Sequence, residues 1–224
     1  MNSKIKNVAA FCDMVNSTKD DMLIILGDVG LNYHNSISEM RHKENLEKYL
    51  PITLLCIHGN HERRPETIPS YKEAERFGGM VYAEPGLPSL LFAKDGEVYN
   101  FGGKRCIVIG GAYSVDKHYR LSKNWGWFAD EQPSEEIKAR VEKRFDDENW
   151  TVDIVLSHTC PFKYIPREMF IAEIDQSSVD NSTEKWLDGI ENRLNYNRWY
   201  CGHYHTDKSI DKMRFMFTDF LELK

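Results

Sequence analysis

The sequence predicts an α/β fold in which two β-sheets form the core and helices pack outside. Three observations carry that expectation. Apolar, β-prone runs alternate with helical patterns near both ends of the chain, turn signals crowd the middle, and several of the apolar runs stop at small polar clusters. With 224 residues, 41% hydrophobic and 29% charged, the chain has the composition of one large globular domain covering residues 1–224.

Ile5, Val8, Phe11, Cys12 and Val15 recur at three- and four-residue spacing, which predicts an opening helix that ends near Asn16-Ser17. Residues 23–26 follow as a buried strand. A second helix is expected over residues 36–50, stopped by Pro51, and a second strand over residues 53–57 runs toward Gly59. From residue 80 to 111 the pieces are short and β-prone, with Asp95-Gly96 and Gly102-Gly103 as hairpin signals, so this stretch is expected to be an antiparallel meander. Pro133-Ser134-Glu135-Glu136 opens a helix reaching about residue 147, its early acids suited to the positive end of the helix dipole. A strand over 153–156, a helix over 182–194, a strand over 199–201 and a hairpin of 208–210 with 213–217 complete the expectation.

Four polar clusters stand at or close to strand ends: Gly27-Asp28-Val29-Gly30, Gly59-Asn60-His61-Glu62, Ser157-His158 and Gly202-His203-Tyr204-His205. In α/β proteins functional groups gather at the carboxyl ends of strands, where loops open from a rigid sheet. Each cluster alone is weak, since Asp and Gly are common turn formers and a lone histidine is usually an ordinary imidazole. In extended backbone, residues i and i+2 point to one side, so His203 and His205 are expected to face one centre. Together the clusters bring to one rim a set of candidate donors: one Asp, one Asn and three of the eight histidines, His158, His203 and His205, with His61 beside Asn60. Carboxylate, amide oxygen and imidazole without thiolate are a ligand set suited to Mn²⁺, Fe or Zn²⁺ at a reaction centre.

This ordered series resembles that of the calcineurin-like metallophosphoesterases, specifically their small bacterial and phage members, from Gly27 to His205. The resemblance implies a four-layer αββα sandwich of two mixed sheets flanked by helices. It implies two divalent metal ions and hydrolysis of phosphate mono- or diesters by a metal-bound hydroxide. Position by position, it implies that Asp28 bridges both ions, that Asn60, His158 and His203 complete one of them, and that His205 belongs to the other. His61 matches the histidine thought to protonate the leaving oxygen or stabilise the transition state. Two ions ~3.5 to 4 Å apart would clamp the phosphoryl oxygens.

One departure stands out. The resemblance also implies an opening strand that ends in Asp-x-His, and nothing here matches it. Asp13 has Val15 at i+2, and Asp20 and Asp21 have Met22 and Leu23 there. The favoured expectation is a true start upstream of the recorded one, with a decayed gene or a single-metal protein as alternatives. The family's first strand is then expected to be missing, leaving a neighbour's backbone groups unpaired. One site would keep four donors and the other only Asp28 and His205, so one bound ion and slow hydrolysis are expected.

Arg63 and Arg64 follow the Asn60-His61 loop and are candidates for gripping a substrate phosphate, which a planar guanidinium does well. Trp125, Trp127 and Phe128 line a substrate cleft or form a satellite core. Five scattered cysteines without a Cys-x-x-Cys pair read as reduced, buried thiols. A net charge of -6 with interspersed signs argues against a dedicated nucleic-acid surface, although a local basic patch stays open. The expected partner is a small phosphate ester or a nucleotide. No apolar run approaches the ~18 residues of a membrane span and no signal-peptide core is present, so a cytoplasmic protein is expected. The alternative function is a non-catalytic scaffold or binding module of the same fold.

Overall fold

The computed structural model describes residues 3–170 and 176–223, with side chains from residue 7 onward. Among the described residues eleven strands form two mixed sheets. The first holds β1 (Met22–Ile25), β2 (Thr53–Cys56), β3 (Lys72–Arg76), β4 (Gly79–Ala83) and β5 (Leu90–Ala93), in the order β1-β2-β5-β4-β3. The second holds β6 (Val98–Phe101), β7 (Lys104–Ile109), β8 (Ile154–Ser157), β9 (Arg198–Cys201), β10 (Lys208–Ile210) and β11 (Met213–Phe215), in the order β10-β11-β9-β8-β7-β6.

Alternation along the central strands builds the layers. Leu55 and Ile57 join Val108, Leu156 and Tyr200 in a core between the sheets. Leu54 and Cys56 face the other way, against Cys12 of α1 (Ser3–Val15) and Leu46 of α2 (Ile37–Tyr49). On the far side, Ile107, Val155 and Trp199 pack under α4 (Glu135–Asp147) and α5 (Ser182–Glu191). The result is the expected four-layer αββα sandwich.

Local chemistry fixes the helices. Ser36 accepts the Glu39 N–H to cap α2, and Ser134 accepts the Ile137 N–H to cap α4. Helix α4 then buries Ile137, Val141 and Phe145 at three- and four-residue spacing, each contributing about 1.5–3 kcal/mol of apolar burial. The side chain of Ile5, part of the predicted stripe of α1, lies outside the described residues.

One expectation needs correcting. The stretch from residue 80 to 111 is not one meander. Gly102-Gly103 does close the β6–β7 hairpin, but β5 belongs to the first sheet and β6 to the second, so Asp95-Gly96 is the crossing between sheets. The Asp95 carboxylate accepts from Gly110 N and pairs with Arg64, 2.5 Å each, which anchors the crossing to distant chain. Strand β3 and the short helix α3 (Lys117–Ser122) were not foreseen.

Parallel pairing of β1 with β2, and of β7, β8 and β9, brings the ends of those strands to one rim. β2 lies inside its sheet, as do β8 and β9 in theirs. β1 is an outer strand with a partner on one side only. Beside it lies a cavity of about 1020 Å³, lined by Phe11, Ile24, Leu156, Tyr200 and Met216 and reaching Asp28, His203 and His205.

Candidate metal centre

The loops after β1, β2, β8 and β9 carry Asp28, Asn60, His158 and His203 to a common point. Asn60 Oδ1 lies 2.8 Å from His158 Nε2 and 3.1 Å from His203 Nδ1. Asp28 Oδ1 lies 3.6 Å from His158 Nε2. His158 Nδ1 stands 2.7 Å from the Leu26 carbonyl, an acceptor, so that nitrogen carries the hydrogen. His158 Nε2 is then the ring nitrogen turned toward two oxygen acceptors, Asn60 Oδ1 and Asp28 Oδ1. Asn60 is oriented by its own amide nitrogen, which donates to Ser114 Oγ at 2.9 Å. Lone pairs converging in this way need a positive charge among them.

Glycines make the convergence possible. A Cβ on Gly27 would fall 2.0 Å from His158 Nδ1, and one on Gly59 would fall 2.2 Å from Asp28 Oδ1. Gly27 also has φ +95°, which disfavours side chains. These glycines are absences of bulk where one motif must pass another, in addition to their role as turn residues.

Electrostatics follow from burial and proximity. Burial alone would raise the Asp28 carboxyl, but His158, His61 and His203, with the His61 N–H at 3.0 Å, outweigh it and hold the group below the usual carboxylate range. Burial, with His158 adding to it, keeps His203 at about 3, so its imidazole is neutral and able to donate a lone pair. His61 is also lowered, first by burial, with Asp28 opposing and Arg120 reinforcing the shift.

The predicted residues separate into three groups. Asp28, Asn60, His158 and His203 meet, and His61 adjoins them with Nε2 3.3 Å from Asn60 Nδ2. His205 stacks on Phe217 at 4.7 Å and shares the large cavity with Asp28. The argument from extended backbone does not hold there, because His203 and His205 have φ of +66° and +52°. Arg63 is exposed, whereas Arg64 is turned inward to Asp95 and to the Asp130 carbonyl at 2.8 Å, and so is not placed to meet a substrate. Among the described residues no three His, Cys, Asp or Glu side chains are by themselves arranged to hold an ion. Convergence here runs through the carboxamide of Asn60.

Sequence reasoning missed three contributors. Glu62 accepts Gly30 N and Gly59 N, both at 3.0 Å, joining two ligand loops; burial, then Asp28, raises its carboxyl to about 8. Ser114 orients Asn60. Arg120, held by Asp116 at 2.7 Å, places Nη2 3.5 Å from His61 Nε2. Glu62 lies inside the Gly59-Asn60-His61-Glu62 cluster but shows no sign of its role in sequence, and Ser114 and Arg120 have no spacing signal because they reach the site through tertiary packing.

A family model for the calcineurin-like phosphoesterases matches residues 3–207. The chain belongs to the calcineurin-like phosphoesterases. Members of this family typically bind divalent metals and hydrolyse phosphoester bonds, which suits the donors described above. No curated protein sequence matches this phosphoesterase-family chain significantly. Among its described residues no helix is long and apolar enough to cross a membrane.

Proposed function

We propose that this chain is a metal-dependent phosphoesterase acting on phosphate mono- or diesters. The observation that carries the reading is His158 Nε2, turned into the site by the hydrogen bond of Nδ1 to the Leu26 carbonyl and facing Asn60 Oδ1 at 2.8 Å with Asp28 behind it. Asp28, Asn60, His158 and His203 would hold one Mn²⁺, Fe or Zn²⁺ ion. When bound, that ion supplies Lewis-acid stabilisation of phosphoryl oxygen charge and a water acidic enough to attack near neutral pH. Of the predicted donors, Asp28 and His205 remain for a second ion, so the chain retains one equivalent and turns over slowly.

The surrounding residues do the positioning. Neutral His203 presents a lone pair without prior loss of a proton at neutral pH, and His158, held at Nδ1 by the Leu26 carbonyl, turns Nε2 toward the same point, so the cation need not displace a proton from His203. Resting His61 is neutral, its Nε2 facing the amide of Asn60 and the guanidinium of Arg120. An arriving phosphate brings negative charge that favours the imidazolium, so His61 gains a proton and can return it to the leaving oxygen. Arg120 lies where it can neutralise a second phosphoryl oxygen. The five described cysteines are free and buried, which suits the reducing cytoplasm taken for this reading.

Elemental analysis after gel filtration, together with Mn²⁺-dependent turnover of an aryl phosphate and its bis-ester, tests the reading. One retained equivalent and turnover lost in His61→Ala are expected. Turnover that persists in both His61→Ala and Asp28→Asn would place the chemistry elsewhere. Metal retention with no turnover of any ester would instead favour the scaffold role.

A further inference from the structure

Residues 117–127, Lys-His-Tyr-Arg-Leu-Ser-Lys-Asn-Trp-Gly-Trp, interleave three basic residues with three large aromatic ones and contain no acid, in a chain of net charge -6. The segment comprises α3 and the turn after it, and it is tied to the candidate centre through one side chain. Arg120 is bonded to Asp116 (2.7 Å) and Gly126 O (3.4 Å), while its Nη2 stands 3.5 Å from His61 Nε2. The turn closes back on the helix, with Trp125 N donating to Arg120 O at 2.9 Å. The Tyr119 and Trp125 rings pack edge to face at 5.6 Å, yet they are 54% and 55% exposed. Lys117 lies 4.1 Å over the Trp127 ring, and Lys123 5.7 Å over Tyr119. A positively charged surface with flat rings open to solvent is suited to a ligand that combines phosphate with a planar base.

We infer that this segment is a nucleotide seat: Arg120 takes the phosphoryl group beside His61, and the exposed rings of Trp125 and Tyr119 stack on the base of the leaving group. This rests on the phosphoesterase reading and names its substrate class as a nucleotide ester. Charge complementarity argues for this occupant over an uncharged apolar partner, because Lys117, Arg120 and Lys123 bracket the rings. Stacking needs no base-specific hydrogen bonds, so purine and pyrimidine nucleotides should both bind, with purines tighter through their larger face.

The test is isothermal titration of the full chain with AMP, ribose 5-phosphate and inorganic phosphate, each with and without Mn²⁺, on the unaltered protein and on Trp125→Ala, Tyr119→Ala and Arg120→Lys. AMP is expected to bind about tenfold tighter than ribose 5-phosphate, a preference that Trp125→Ala removes. Arg120→Lys should weaken all three ligands together, since a point charge replaces a planar fork. Equal affinity for AMP and ribose 5-phosphate in the unaltered protein would overturn the inference, as would a preference that survives Trp125→Ala combined with Tyr119→Ala. Both substituted rings are more than half exposed, so the variants should fold. Failure of the phosphoesterase reading shows separately, as absent turnover of aryl esters whichever ligand binds.

Discussion

The two sides of the metal centre are built differently. Asn60 and His158 stand on loops after β2 and β8, strands paired on both sides, and His203 follows β9, which is also paired on both sides. Asp28 follows β1, the outermost strand, and His205 lies two residues past His203 in the same loop; the cavity of about 1020 Å³ beside β1 reaches both of them as well as His158 and His203. On the covered side, donor atoms converge within hydrogen-bond distance and every ring has a second partner or a packed neighbour. On the open side, Asp28 is fixed mainly by the His61 N–H, and His205 rests on Phe217. Convergence is tight for donors close behind interior strands and looser for Asp28, which follows the outer strand, and for His205, which lies further along its loop, because a strand paired on both sides leaves the first residues after it little freedom.

Removing a covered donor should have the largest effect. His158→Ala is expected to abolish metal retention and turnover, exceeding the ~10–100-fold that outer-shell partners cost, as read by elemental analysis and Mn²⁺ titration. His61→Ala should retain the metal but lose about 10²- to 10⁴-fold in kcat, the usual share of a positioned acid. If His61→Ala sheds its metal as readily as His158→Ala, the division between holding and reacting groups is wrong.

Backbone spacing gives the next contrast. Gly27→Ala should destabilise by about 2–3 kcal/mol in urea unfolding and loosen the metal, because its Cβ would overlap His158 at a φ of +95°. Gly30→Ala has open space around it at φ +74°, so it should cost only about 1 kcal/mol and leave metal retention intact. Similar losses in both variants would show that strain, and not the crossing of the two loops, matters at Gly27.

A pH profile probes the layer behind His158. Glu184 accepts from Thr159, and burial raises its carboxyl to about 7, with Oε2 buried and unpartnered. The folded state thus keeps a proton that the unfolded chain releases near its ordinary value of 4.5. The Glu184 contribution to stability therefore falls as pH rises from about 4.5 to 7, by at most a decade in folding constant per pH unit, and is flat above. Glu184→Gln should flatten denaturant midpoints measured across the window by that share, leaving the slope that the raised carboxyl of Glu62 contributes up to about pH 8. Smallest of all, His205→Ala is expected to change metal retention less than tenfold, since four other donors remain; a complete loss would put the weight of the centre on the open side.

How much of this was legible follows the same division. Four-residue apolar runs marked β1, β2, β8 and β9 because such strands are buried and carry their signal in composition. The ligand clusters were legible because they follow those runs directly. Strand β3 was not: Lys72-Glu73-Ala74-Glu75-Arg76 are all good helix formers, and antiparallel pairing with β4 overrides that preference at a sheet edge. Arg64 was misplaced because its partner Asp95 is 31 positions away and nothing local marks the pair. The histidine pair at 203 and 205 was misjudged in geometry because left-handed backbone at two non-glycine positions has no sequence signature.

Glu62 binds the amide of Gly30 with one oxygen and that of Gly59 with the other. A single carboxyl group thus fastens the chain just past Asp28 to the chain just before Asn60, so the two loops can only come loose together. Thermal loosening of this corner should accordingly be abrupt, with chelation vanishing in one step instead of fading donor by donor.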